Sequence, residues 1–159
     1  MAADRRLLRN CIGKFGDVTI GSPNPTLVRS YLTQSKNAIV AMDTLAPAKV
    51  EEWIVETSYY AKYFVVSALL ASVGVRSKNH ACTAEFFEFL FGGSHPTLTA
   101  DLKAARGKRV GAIYNAAMAG VDLKVLVPST KVFVTDIEGI INGLRSTDIA
   151  RLRSQLSGI

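Results

Sequence analysis

Ala48 to Val73 runs without a proline or a glycine and is apolar around most of a helical cylinder. Val50, Ile54, Thr57, Ala61, Phe64, Ala68 and Ala71 recur at spacings of three and four, which puts them on one face. Trp53, Tyr60, Val65 and Leu69 or Leu70 widen that surface well beyond one stripe. A helix apolar on several sides needs neighbours on several sides, so this one is expected at the centre of the fold, with Phe64 buried. Pro47 suits its start and Gly74 its end.

The other elements are read around it. Leu27 to Leu45 carries a helical period, and Ser77 or Asn79 can cap a helix from His80 to about Phe91. "GGSHP" closes that helix, and Leu98 to about Met118 forms the next. Val121 to Pro128 has strand-like composition and is expected to be an extended connection. The last helix is expected from Ser129 to Leu156, with an interruption near Ser146. "RRLLRNCIGKF" is a short helical candidate, followed by turn signals at Gly16, Gly21, Pro23 and Pro25. Residues 1–26 therefore read as an N-terminal extension packed on a main body of residues 27–159. The expected class is all-α, an antiparallel up-and-down bundle of four to five helices.

Bulk properties narrow the function. With 159 residues, 48% apolar and 20% charged, the chain fits one globular domain. Cys11 and Cys82 are too few and too far apart for a disulfide framework and suit a reducing interior, with a lone disulfide as the alternative. The N-terminus has no apolar run of signal-peptide length, and the most apolar window, Ala61 to Val75, is too short for a membrane span and is interrupted by Lys62. A soluble, cytoplasmic protein without membrane contact is expected. Nineteen basic residues against thirteen acidic ones give a net charge of +6, which suits an anionic partner such as nucleic acid.

Few motifs carry chemistry. Cys11, His80, Cys82 and His95 could be offered as zinc ligands, but zinc ligands come in close pairs and only His80 and Cys82 are close. Cys82, one turn into an apolar helix, reads as a small buried residue, so neither metal nor other cofactor is expected. "GKFGDVTIG" lacks the spacing of a phosphate or dinucleotide loop. Tyr59, Tyr60, Tyr63 and Phe64 could be mistaken for an aromatic platform for bases, but their helical spacing favours a core face. Lys103, Arg106 and Arg109 recur every third residue along one helix face, as a solvated stripe or a phosphate contact.

The richest stretch is "GVRSKNHACT". His80 falls in the first turn of a helix, where outward N–H groups and the dipole favour an anion and disfavour imidazolium. Arg76 offers a planar donor fork for phosphate oxygens. A neutral histidine plus an arginine can cleave RNA without metal, the histidine taking the proton of a 2′-hydroxyl. Ser77, Lys78 and Asn79 complete a candidate nucleic-acid contact, and Arg76 and His80 are expected to lie together, exposed, at the mouth of a cleft. The alternative is an ordinary capped loop.

Taken together, "WIVETSYYAKYFVVSALLASVGVRSKNHACTAEFF", "LKAARGKRVGAIY" and the long last helix resemble the HEPN domain family of bacteria and archaea, over roughly Thr26 to Leu156. The resemblance implies a helical bundle that usually dimerises. It also implies, for active members, a metal-independent ribonuclease, often a toxin paired with a small nucleotidyltransferase antitoxin, with two protomers forming one cleft. The family motif is an arginine, a polar residue, and a histidine after four to six intervening residues. Arg76 and Ser77 match its opening and His80 its close, with only Ser77, Lys78 and Asn79 between. Ile113 stands where relatives often place an acidic residue before Tyr114. Two functions follow: a ribonuclease toxin using Arg76 and His80, or a non-catalytic module binding RNA, a nucleotide or a nucleotidyltransferase partner.

Overall fold

The computed structural model describes residues 5–14, 16–115 and 121–159, with the side chains of 112–115 outside that description. The protein is mostly helical: α1 (Arg5–Ile12), β1 (Val18–Ile20), α2 (Pro25–Leu45), α3 (Glu51–Ser72), β2 (Val75–Ser77), α4 (His80–Phe91), α5 (Pro96–Asn115), α6 (Leu123–Gly143) and α7 (Ser146–Leu156). The expected end of the fourth bundle helix near Met118 lies outside the described residues.

Helix α3 is the hub, touching α2, α4, α5, α6 and β2. The Ser35 hydroxyl donates to the Ala61 carbonyl at 2.8 Å and the Asn24 N–H to the Ala71 carbonyl at 3.1 Å, so α2 runs antiparallel to α3. Lys62 meets Asp101 at 2.7 Å and Arg109 meets Glu56 at 2.9 Å, which sets α5 antiparallel too. Helix α6 runs in the same sense as α3, with the Ser58 and Thr130 hydroxyls 2.7 Å apart and the Lys62 ammonium 5.1 Å from the centre of the Phe133 ring. Ile54, Tyr59, Leu69, Phe86, Phe87, Phe133 and Ile137 form the fully buried centre. Burial around several sides of α3 follows from its all-round apolar surface, but Phe64 is only half-buried and Trp53, in the first turn, stays 56% exposed.

Three further features depart from expectation. Val121 to Pro128 is not an extended connection: Asp122 caps α6 by accepting the Lys124 N–H at 2.9 Å, and Pro128 sits inside the helix. The β-branched residues there have strand propensity, and the cap together with burial of Thr130 and Phe133 overrides it. "VTI" and "VRS" form a two-stranded antiparallel ribbon, with Val18 opposite Ser77, Thr19 opposite Arg76 and Ile20 opposite Val75. Cys11 and Cys82 are joined in a disulfide, because α1 packs on α4 and brings residues 71 apart in sequence to a Cα separation of 5.8 Å.

These features knit the N-terminal segment into the body. Leu8 and Cys11 are fully buried, the Lys78 N–H donates to the Asp17 carbonyl at 2.8 Å, and the Asn79 amide donates to the Asp17 carboxylate at 2.9 Å. The turn out of α3 rests on Gly74, whose φ is +89°. A Cβ there would run into the Gly21 carbonyl and the Arg153 guanidinium, so only glycine lets the chain pass. No described helix is long and apolar enough to cross a membrane.

Closing so long a loop restricts the unfolded chain strongly. Reduction of Cys11–Cys82 is expected to lower unfolding free energy by about 2–5 kcal/mol in denaturant titrations. Two titratable thiols before reduction, with an unchanged midpoint after it, would contradict the bridge.

Candidate functional site

Three elements converge on His80. Asn79 caps α4: its Oδ1 accepts the Ala81 N–H at 2.9 Å and the Cys82 N–H at 3.2 Å. Those amides are therefore taken by the cap, and a ligand would be held by side chains. One edge of α3 faces His80 with Tyr59, Tyr60 and Tyr63, at ring-centre distances of 5.5, 5.9 and 4.2 Å. The Tyr59 hydroxyl lies 2.7 Å from His80 Nδ1. From α5, Arg109 Nε donates to both Glu56 oxygens at 2.9 and 3.0 Å, and its guanidinium lies 5.4 Å from the centres of the Tyr59 and Tyr60 rings.

Electrostatics set the protonation states. Burial, then the charges of Arg109 and Arg106, lower the His80 pKa from 6.5, and Glu56 opposes them. Burial pushes Tyr59 well above the ordinary tyrosine value, against the pull of Arg109, and burial raises Tyr63 as well. At neutral pH the cluster is thus a neutral imidazole between neutral phenols, beside a fixed guanidinium. Either the Tyr59 hydroxyl donates to Nδ1 or Nδ1–H donates to the phenol oxygen; both leave Nε2 as the nitrogen for a ligand.

The residues expected in the site divide. His80, Arg106 and Arg109 come together, with Arg106 exposed and acting on His80 by charge. Arg76 is exposed on β2 and lines a small groove with Thr19, Gly21, Asn24 and Gly74. No described contact joins it to His80. Ser77 is buried and its hydroxyl donates to the Asn79 carbonyl at 3.0 Å, a bond internal to the turn. Lys78 is exposed, and Asn79 serves as the cap. Lys103 is held by Glu85 at 2.9 Å and by Glu88, which neutralises that end of the stripe. Ile113 and Tyr114 lie outside the described side chains.

The bridge takes Cys11 and Cys82 out of the four residues considered for zinc. Among the described residues no three histidines, cysteines or carboxylates are grouped to hold an ion. Sequence reading passed over Glu56 and weighed Tyr59 only as core or as part of an aromatic platform. The signal was available: Glu56, Tyr59, Tyr60 and Tyr63 share one edge at spacings of three, four and seven, complementary to the α5 stripe.

A lowered histidine pKa has a definite sign. The unfolded chain binds more protons than the folded one in the interval between the depressed pKa and 6.5, so stability falls as pH drops through that interval. In an NMR titration assigned with His80→Gln, the His80 ring is expected to titrate below 6.5 and to move upward in Arg106→Gln. A midpoint at or above 6.5, unmoved by Arg106→Gln, would contradict the site's electrostatics.

Comparison with protein-family models, with curated proteins and with solved structures finds no match for this chain.

Proposed function

We propose that the chain is a HEPN-like helical bundle whose His80 site takes the backbone of RNA and cleaves it without a metal. The observation supporting this most is a neutral imidazole, anchored through Nδ1, in the field of two guanidinium groups from α5. With Nδ1–H donated to Tyr59, Nε2 accepts the proton of a 2′-hydroxyl. The 2′-oxygen attacks phosphorus, the bond to the 5′-oxygen breaks, and the imidazolium returns its proton to that leaving oxygen. Arg106 and Arg109 stabilise the charge gathering on the phosphoryl oxygens. This reading moves the arginine role from Arg76 to α5, so the short spacing between Arg76 and His80 no longer bears on it.

A second reading, a non-catalytic module binding RNA, a nucleotide or a nucleotidyltransferase partner, is favoured by Arg109. Its charge is already offset by Glu56, which suits holding an anion more than stabilising a transition state. A homodimer accompanies either reading. The exposed apolar residues available to it are Val40 on α2, Trp53 in the first turn of α3, and Val125 and Val132 on α6, each more than half exposed. A cytoplasmic setting belongs to the toxin reading, and the Cys11–Cys82 bridge weighs against it, because disulfides persist in oxidising compartments.

Mixed single-stranded RNA incubated with the protein in chelator is expected to be cut to cyclic-phosphate ends. His80→Ala should lower the rate by about 100-fold or more, Arg106→Ala should also slow it, and Arg76→Ala should leave it unchanged. Intact RNA bound with steep salt dependence would transfer the case to the binding module, and absence of both cleavage and binding would overturn both readings. Sedimentation at tens of micromolar should give a dimer; a monomer would remove any cleft shared between protomers.

A further inference from the structure

Beside His80 the aromatic residues continue into a column. The Arg109 guanidinium lies 5.4 Å from the Tyr60 ring centre, Tyr60 stacks on Phe64 at 5.6 Å and 23°, and Phe64 stacks on Tyr31 at 6.3 Å and 21°. The column crosses from α5 over α3 to α2. Its rings differ from those of the core: Tyr59, Phe86 and Phe87 are essentially fully buried, whereas Tyr31, Tyr60 and Phe64 are all half-buried. No described hydrogen bond engages the hydroxyl of Tyr31 or Tyr60. Tyr60 also stands edge-on to His80 at 5.9 Å, so the column begins where the proposed phosphate position ends.

Near-parallel rings at the protein edge, flanked by arginine, match the chemistry of single-stranded nucleic acid. Every base has a π-face, and stacking on aromatic side chains or guanidinium planes captures it without sequence-specific hydrogen bonds. Bases inside an RNA duplex already stack on one another and cannot reach such a surface. Exposed Arg106 and a net charge of +6 supply the complementary field for the backbone.

We propose that the Arg109–Tyr60–Phe64–Tyr31 column is a base-stacking platform that seats the nucleotide next to the phosphate at His80. The platform rests on the RNA reading above and deepens it. Its occupant is a nucleobase; the competing occupant is a second copy of this chain.

The test compares two labelled oligomers of equal length by fluorescence anisotropy at one low salt concentration: a single-stranded oligoribonucleotide, and the same ribose-phosphate chain made abasic. The wild-type protein should bind the base-bearing oligomer tighter by about 5- to 150-fold, the range for one stacked base. Tyr31→Leu and Phe64→Leu, which keep apolar volume without a π-face, should shrink that ratio, with folding checked by circular dichroism. Equal wild-type affinity for the two oligomers would overturn the platform while leaving the phosphate site standing. Failure to bind either would bring down the RNA reading and the platform together. Loss of the dimer in Tyr31→Leu, with the affinity ratio intact, would give the column to a second copy and overturn the platform.

Discussion

Everything at the candidate site depends on how the chain leaves α3. That helix is buried on most of its sides and leads to α4 through a tight turn followed by β2. Gly74 makes the turn with a φ of +89°, in a space closed by the Gly21 carbonyl and the Arg153 side chain. Arg153 Nη1 donates to the Gly21 carbonyl at 2.5 Å and to the Val73 carbonyl at 3.0 Å, so α7 locks the same corner. The β1–β2 ribbon, the Asp17 contacts and the Cys11–Cys82 bridge then fix the first turn of α4 against the tyrosine edge of α3. The N-terminal segment thus works as the bracket that positions His80.

The bracket also decides which arginine the histidine meets. In a strand successive side chains point to opposite faces. On β2, Val75 and Ser77 are buried and Arg76 is exposed between them. Arginines on α5 come instead within reach through the antiparallel packing of α3 and α5, with Glu56 holding Arg109 over the Tyr59 and Tyr60 rings. One carboxylate both orients this guanidinium and offsets its charge, and that balance separates a catalytic site from a binding one.

Much of this was legible in the sequence where the determining signal is local. The centrality of α3 follows from its unbroken apolar period, the cap at Asn79 from a short polar side chain before an apolar run, and the break at Ser146 from the glycines and polar residues before it. The parts that were not legible depend on contacts between distant residues. Three-residue strands carry too little pattern to stand out, and two cysteines 71 residues apart give no hint of proximity. Residues 121–128 misled because valine propensity points to strand, while the deciding contacts are made by Thr130 and Phe133 to Ser58 and Lys62 on α3. His80 opens α4 where helix-terminus physics marks it; Arg76 lies exposed on β2, a strand whose alternation was unseen, with no described contact to His80.

The most direct measurement follows side-chain signals during titration with a short single-stranded oligoribonucleotide, using NMR of arginine Nε–H groups and histidine rings. The account predicts that His80, Arg106 and Arg109 shift together with one affinity while Arg76 stays still. A shift of Arg76 with Arg106 and Arg109 unmoved would place the anion on the ribbon and contradict the site described here.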